Sequence, residues 1–123
     1  MRLLLDTHIF LWWLTDDPQL HTYRRRAIAN PDALVHVSAV TIWEIAIKQA
    51  LGRIDVGDEF AGEIERGDFL ELPITARHAL AAGRLPRIHS DPFDRMLIAQ
   101  ARQENLTLVS QDSALAEYRV DLL

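Results

Sequence analysis

The feature that most constrains the fold is the run at residues 1–5, which is apolar except for Arg2 and ends on a carboxylate at Asp6. So short a run, without polar alternation, is typical of a strand buried on both faces in the middle of a parallel sheet. Asp6 then lies at the carboxyl end of that strand. Ligands and catalytic groups collect at this edge of open α/β sheets, because loops and helix N-termini converge there. Other acids that reach the same edge would therefore share a site with Asp6.

Strand-like and helix-like segments alternate along the rest of the chain. Ser38, Thr75 and Asp91 stand at positions typical of helix N-caps, and Pro92 follows Asp91 at a first helical turn. The patterns predict strands at 33–37, 69–72, 106–109 and 118–120, and helices at 9–14, 20–29, 39–51, 75–82 and 91–101, with 53–67 and 83–90 mostly loop. This alternation predicts one three-layer α/β domain over residues 1–123, with a mostly parallel central sheet of about four to five strands.

Composition removes several classes of function. The 123 residues include no cysteine, which excludes thiolate metal sites and cysteine nucleophiles and fits a reducing cytosol. No apolar run approaches the roughly 20 residues of a membrane-spanning helix, so we expect a cytoplasmic protein. The net charge of −5 argues against broad nonspecific binding to nucleic acid. Arg24, Arg25 and Arg26 form the densest basic run, which is either a local phosphate-binding patch or a solvated helix face.

Four acids follow the predicted strands closely: Asp6, Glu44, Asp94 and Asp112 lie at strand ends or in the early turns of the next helix. Parallel strands would bring all four to one region. Each acid alone also fits a structural role, as an N-cap or as a charge near a helix N-terminus. Structural roles alone do not explain why all four acids would lie at the same edge of the sheet. Asp91 is interpreted as the helix cap, and a contribution to metal binding is left open.

Glu44 is the strongest functional candidate because its neighbours Trp43, Ile45, Ala46 and Ile47 leave its helix little polar surface. An ionised carboxylate is almost never fully buried without a partner. Several carboxylates in one pocket repel each other unless a cation lies among them. Oxygen ligands without cysteine favour Mg²⁺ or Mn²⁺ over zinc. The chemistry that suits such a site best is divalent-metal hydrolysis of a phosphodiester.

Four motifs in the chain resemble the successive motifs of PIN-domain proteins, specifically the VapC-type toxins of bacterial toxin–antitoxin systems. They are LLLDTH at 3–8, SAVTIWEI at 38–45, DPFDRMLIAQA at 91–101 and LTLVSQD at 106–112. The resemblance covers essentially the whole chain in the family's order, and the DPFDR run is its most specific part.

The resemblance implies an endoribonuclease that depends on Mg²⁺ or Mn²⁺, cleaves structured RNA such as tRNA or rRNA, and is neutralised by a cognate VapB-like antitoxin. A homodimer carrying two antitoxins is also implied. Asp6, Glu44 and Asp94 match the family's three core acids, and Asp112 matches a fourth, more variable one. All four are expected to be catalytic and to bind metal. Thr7 and Ser110 resemble hydroxyl residues beside those acids.

Three alternatives stay open at this point. A PIN-fold module without catalysis would act by binding RNA or a partner, although the intact acids argue against it. Phosphoryl transfer through an aspartyl intermediate usually needs a second acid two residues after the first, and His8 stands there. Attack by a ribose 2′-hydroxyl needs a general base, for which His8 is the best placed of the five histidines.

Overall fold

A computed structural model describes all 123 residues and contains four strands. The elements are, in chain order, β1 (Arg2–Leu5), α1 (Thr7–Leu14), α2 (Thr22–Ala29), β2 (Leu34–Ser38), α3 (Ala39–Ala50), α4 (Glu63–Arg66), β3 (Leu70–Leu72), α5 (Ala76–Arg84), α6 (Pro92–Glu104) and β4 (Thr107–Val109). Two 3₁₀ helices, Phe60–Gly62 and Ser113–Tyr118, complete the chain. None of the helices has both the length and the apolar character needed to cross a bilayer.

The sheet is entirely parallel, with the strand order β3-β2-β1-β4. In this register Leu5 lies beside Val37 on one side and Val109 on the other. The strand that ends on Asp6 is thus an inner strand, as its apolar run predicts. The carboxyl ends of β1, β2 and β4 lie side by side, so the residues that follow them share one edge of the sheet.

Helices cover both faces of the sheet, which confirms the predicted three-layer α/β architecture. Leu4 packs into a cluster of 14 buried residues that includes side chains of α5 and α6. Leu3 and Leu5 pack on the opposite face into a cluster of 12 that includes Ile9 and Phe10 of α1. Side chains alternate between the faces of a strand, so a strand with a core on each face must be apolar throughout.

One predicted strand is absent, and several predicted helix ends differ from the observed ones by two or three residues. The expected strand at 118–120 does not form, because Tyr118 ends a 3₁₀ helix and Arg119 adopts a left-handed conformation with φ of 56°. A single parallel bridge forms further along, between Leu122 and Leu108. The helix expected to end at Ala82 continues to Arg84, so the following loop is shorter than predicted.

Candidate functional site

Asp6 lies at the centre of the carboxyl edge of the sheet. Its backbone N–H donates to the Val109 carbonyl at 3.1 Å, and its carboxylate caps α1 by accepting from the Ile9 N–H at 2.9 Å. The residue is only 6% exposed. This burial raises the pKa of the Asp6 carboxyl, and a hydrogen bond with Ser110 opposes the rise. Asp6 is therefore the N-cap of α1. Its carboxylate is also buried, and a cation beside it would stabilise the ionised form.

Glu44 is held by two donors of the protein itself. Oε1 accepts from the Thr7 hydroxyl and Oε2 accepts from the Lys48 ammonium, each at 2.6 Å, in a residue that is 3% exposed. The prediction that this acid needs a partner is thus met by Lys48, one turn later on α3. A capping-box role for Glu44 is excluded, because α3 begins at Ala39 and is capped by Ser38, whose hydroxyl accepts from the Val40 N–H.

Asp94 lies in the first turn of α6, where Asp91 serves as the cap. The Asp91 carboxylate accepts from the backbone N–H groups of Phe93 and Asp94 at 2.8 and 3.3 Å. The Asp94 carboxylate makes no backbone contact of this kind. Burial, followed by the charge of Asp91, raises the pKa of Asp94 to about 6, and the charges of Asp6 and Glu44 act in the same direction. These three core acids are therefore electrostatically coupled at one site.

Asp112 joins the site through His89. The Nε2 atom of His89 lies 3.3 Å from Oδ2 of Asp94 and 3.7 Å from Oδ2 of Asp112. Its Nδ1 atom accepts from the Asp91 N–H at 3.0 Å, so the neutral ring carries its proton on Nε2, facing the two acids. The Asp112 carboxylate also caps the last 3₁₀ helix by accepting from the Ala114 N–H. One ligand atom from each of His89, Asp94 and Asp112 lies within 4.8 Å of the others, a spacing that can hold a metal ion.

Sequence reasoning missed His89 and Lys48. His89 lies in the loop between α5 and α6, where no periodicity indicates which way a side chain points. The available signal was its position two residues before the capping Asp91. The signal for Lys48 was its spacing of four residues after Glu44, which places both on one face of a helix. His8, the best placed histidine for the alternative in which a ribose 2′-hydroxyl attacks, is exposed and packs against Trp12 with ring centroids 5.9 Å apart.

Two arginines, Arg24 of the predicted basic run and Arg95 of α6, have structural roles. Arg24 is buried and donates to the Leu123 and Ser110 carbonyls at 2.9 and 3.1 Å. Arg95 donates to four backbone carbonyls around the turn from α5 to α6, those of Ala82, Leu85, Pro86 and His89. Its guanidinium therefore organises the loop that carries His89. The exposed arginines that remain available to a substrate include Arg26, Arg53, Arg84 and Arg87.

A family model described as the PIN domain matches residues 3–121. The chain belongs to the PIN-domain family. It is also similar to Ribonuclease VapC22 of Mycobacterium tuberculosis, with 29% identity over 119 residues that cover 94% of this chain and 91% of the relative. The resemblance to PIN-domain proteins of the VapC type is thus confirmed by a family match and by a relative along nearly the whole chain.

Solved structures show the same fold. VapBC2 from Rickettsia felis, bound to a DNA fragment from its promoter, superposes with a TM-score of 0.70 at 15% identity and covers 100% of this chain and 98% of that one. VapBC-1 from nontypeable Haemophilus influenzae gives 0.66 at 17% identity, covering 100% and 97%. FitAcB from Neisseria gonorrhoeae gives 0.63 at 18%, covering 98% and 96%. At these identities the likeness establishes the PIN fold alone.

Proposed function

We propose that this chain is a VapC-type toxin: a divalent-metal-dependent endoribonuclease that cleaves structured RNA such as tRNA or rRNA. Residues 1–123 act as a single PIN domain, in the cytoplasm where such RNA is found. The observation that carries the proposal is the convergence of the acids at the carboxyl edge of the sheet, where Asp6 and Glu44 are buried and a carboxylate oxygen of Asp94 lies within 4.8 Å of one of Asp112. The name of the relative VapC22, a ribonuclease, supports the same activity.

The residues present fit Mg²⁺ or Mn²⁺. Burial raises the pKa of both Asp6 and Asp94, which means that their ionised forms lack sufficient stabilisation from the protein alone. A divalent cation would supply it, and an oxygen-rich donor set favours a hard ion. The proposed ligands are Asp6, Glu44, Asp94 and Asp112. When bound, the ion would supply a Lewis acid for a phosphate oxygen and a water of lowered pKa.

The chain's own residues would prepare this site for an ion and an RNA phosphate. The Thr7 hydroxyl fixes Oε1 of Glu44, and the Ile9 N–H fixes Oδ1 of Asp6, so two of the acids keep their orientation before anything binds. The Nε2–H of His89 faces Asp94 and Asp112 and holds them at the outer rim. Fixed orientation of such groups before binding is what lets them act on a transition state without reorganisation.

A VapB-like antitoxin and a second copy of the chain are the proposed protein partners. VapBC2 from Rickettsia felis and VapBC-1 from Haemophilus influenzae have the same fold, which supports a VapB-like partner for this chain. Trp43 is 59% exposed and packs edge-on against Phe93 next to the acids, with ring centroids 5.4 Å apart. Exposed aromatic side chains of this kind often anchor protein interfaces. We therefore place the antitoxin contact beside the acidic site.

The test is cleavage of a total small-RNA pool by the purified chain in Mg²⁺, in Mn²⁺ and in EDTA. Asp94→Asn is the active-site variant. Asp32→Asn is the matched control, because Asp32 is an exposed acid in the turn before β2, at the opposite end of the sheet. We expect discrete fragments that require metal, disappear with Asp94→Asn and persist with Asp32→Asn. Intact RNA under every metal condition, with folded protein that still binds RNA, would support the non-catalytic binding module instead.

A further inference from the structure

Lys48 is the only lysine in the chain, against 12 arginines. Its Nζ atom lies 2.6 Å from Oε2 of Glu44, and its side chain is 30% exposed whereas that of Glu44 is 4% exposed. The pair thus spans the boundary between the buried acids and solvent. An ordinary exposed pair at this helical spacing contributes only about 0.3–0.5 kcal/mol. A lysine that contacts a buried acid of the candidate site is a different case.

The direction of α3 explains how Lys48 reaches the site. The helix starts at the carboxyl edge of the sheet, directly after β2, and runs away from it. Side chains on a helix tilt toward its N-terminus, so a long side chain covers the turn before its own Cα. Lys48 therefore extends back over Glu44 toward the edge where Asp6 and Asp94 lie, and its ammonium lies at the rim of the acidic pocket.

The ammonium has unused hydrogen-bonding capacity. It carries three N–H donors, and Glu44 is its only hydrogen-bond partner within the protein. The other oxygen of Glu44 accepts from Thr7, which fixes the carboxylate from its buried side. Glu44 thus holds the ammonium in one place while leaving donors that face outward. Lysine binds phosphate as a point charge, so it does not need the planar alignment that arginine uses.

We propose that Lys48 is a substrate-binding residue that donates to a phosphate oxygen of RNA beside the acidic site, and that Glu44 is the residue that positions it. This inference rests on the proposed function, which supplies RNA as the ligand. A polyanion that approaches a cluster of acids needs a local positive charge, and Arg24 and Arg95 are committed elsewhere. A carboxylate oxygen can accept two bonds, so this role is compatible with Glu44 also being a metal ligand.

RNA affinity in EDTA tests the contact without cleavage and without metal. The probe is fluorescein-labelled bulk tRNA, titrated by anisotropy at several salt concentrations with the wild type, Lys48→Met, Lys48→Arg and the control Arg102→Met. Arg102 is exposed in the last turn of α6, two turns beyond Asp94, so its loss removes one charge far from the acids.

A phosphate contact predicts that Lys48→Met lowers the slope of log affinity against log salt by about 0.7–0.9, and weakens binding by about 5–10-fold near 0.1 M salt. Lys48→Arg should restore most of the slope, and Arg102→Met should leave it unchanged. An unchanged slope in Lys48→Met, or an equal loss in Arg102→Met, would overturn the contact.

The single lysine gives a second readout on the unmutated protein, which matters if Lys48→Met fails to fold. Reductive ¹³C-methylation labels only Lys48 and the N-terminal amine, so the lysine has one resolved methyl signal. We expect this signal to shift on addition of tRNA in EDTA, and to lie at a different position in Glu44→Gln before RNA is added. A signal that does not respond to tRNA would assign Lys48 to a purely structural ion pair.

Cleavage and metal binding separate this inference from the proposed function. In Lys48→Met we expect kcat/KM to fall by about 10–100-fold, while Mn²⁺ affinity by titration calorimetry is not lowered, because the substitution removes a positive charge beside Glu44 and leaves the acids in place. If the wild type does not cleave RNA in Mg²⁺ or Mn²⁺ but Lys48→Met still lowers the salt slope, the proposed ribonuclease activity is refuted and the phosphate contact of Lys48 is supported. Active wild type with equally active Lys48→Met and an unchanged slope would refute the contact alone.

Discussion

Asp94→Asn is expected to stabilise the metal-free protein at neutral pH. The Asp94 side chain is 24% exposed, and burial together with the charge of Asp91 raises its pKa from 3.8 to about 6. Ionising this carboxyl in the folded state therefore costs more than in the unfolded chain. The difference between 3.8 and about 6 corresponds to about 3 kcal/mol of unfolding free energy, since each pKa unit is about 1.4 kcal/mol.

The sign of the pH dependence follows from proton binding. Between pH 3.8 and about 6 the folded protein binds the Asp94 proton and the unfolded chain has released it, so stability falls as pH rises through this window. Below the window both states are protonated, and above it both are ionised. Asparagine has no such transition. The variant should therefore match the wild type near pH 3.5 and exceed it by up to about 3 kcal/mol at pH 7.

Urea unfolding in EDTA, from pH 3.5 to 8, measures this difference because titrating groups distant from Asp94 cancel between the two proteins. Adding Mg²⁺ at pH 7 should nearly close this gap: a concentration of 100 times the Kd would stabilise the wild type by about 2.7 kcal/mol, while the variant gains little. An Asn variant no more stable than the wild type at pH 7 in EDTA would show that Asp94 is not destabilised by ionisation. A cation would then not be needed to offset the charge of Asp94.

Three further substitutions test contacts that support the site. Arg95→Met removes four bonds to backbone carbonyls and should lower stability by about 2–4 kcal/mol, with faster amide exchange in the loop that carries His89. Arg24→Met should lower the free energy of unfolding in urea by about 2–3 kcal/mol. The affinity for RNA at a given salt concentration should not change, because the Arg24 guanidinium is buried against two carbonyls. Thr7→Val leaves one oxygen of buried Glu44 without its donor and should cost about 1–3 kcal/mol, whereas Thr7→Ser should retain most of the stability.

The part of the site that depends on local chemistry was predictable from sequence. An apolar strand that ends on Asp6, and a capping Asp91 followed by Pro92, are signals confined to a few adjacent residues. Ser38 and Thr75 cap α3 and α5 as their positions predict. Because all four strands are parallel, correct strand ends were enough to place the acids at one edge.

The features of the fold and of the site that depend on long-range contacts were not predictable from sequence. His89 reaches Asp94 and Asp112 because Arg95 and the Tyr118 hydroxyl hold its loop, and Tyr118 lies 29 residues away in sequence. Arginine is usually a surface residue, yet Arg24 is buried because the end of the chain packs against it and the Leu123 carbonyl accepts its hydrogen bond. The expected strand at 118–120 failed for a similar reason: β-propensity at these residues does not reveal the left-handed turn at Arg119.

The acids of the site are stabilised in two different ways, and this difference indicates where a cation would act. Glu44 has both oxygens bonded to donors of the protein, one of which is the Lys48 ammonium. The charge of Glu44 also raises the pKa of Asp94 less than the charges of Asp91 and Asp6 do. Neither Asp6 nor Asp94 bonds to a lysine or an arginine, and both have raised pKa values although His8 and His89 act in the opposite direction. A bound ion would therefore gain most free energy between Asp6 and Asp94, while the side of the site beside Glu44 is already neutralised. Positive charge from the ion on one side and from Lys48 on the other would let an RNA phosphate enter a pocket that is otherwise acidic.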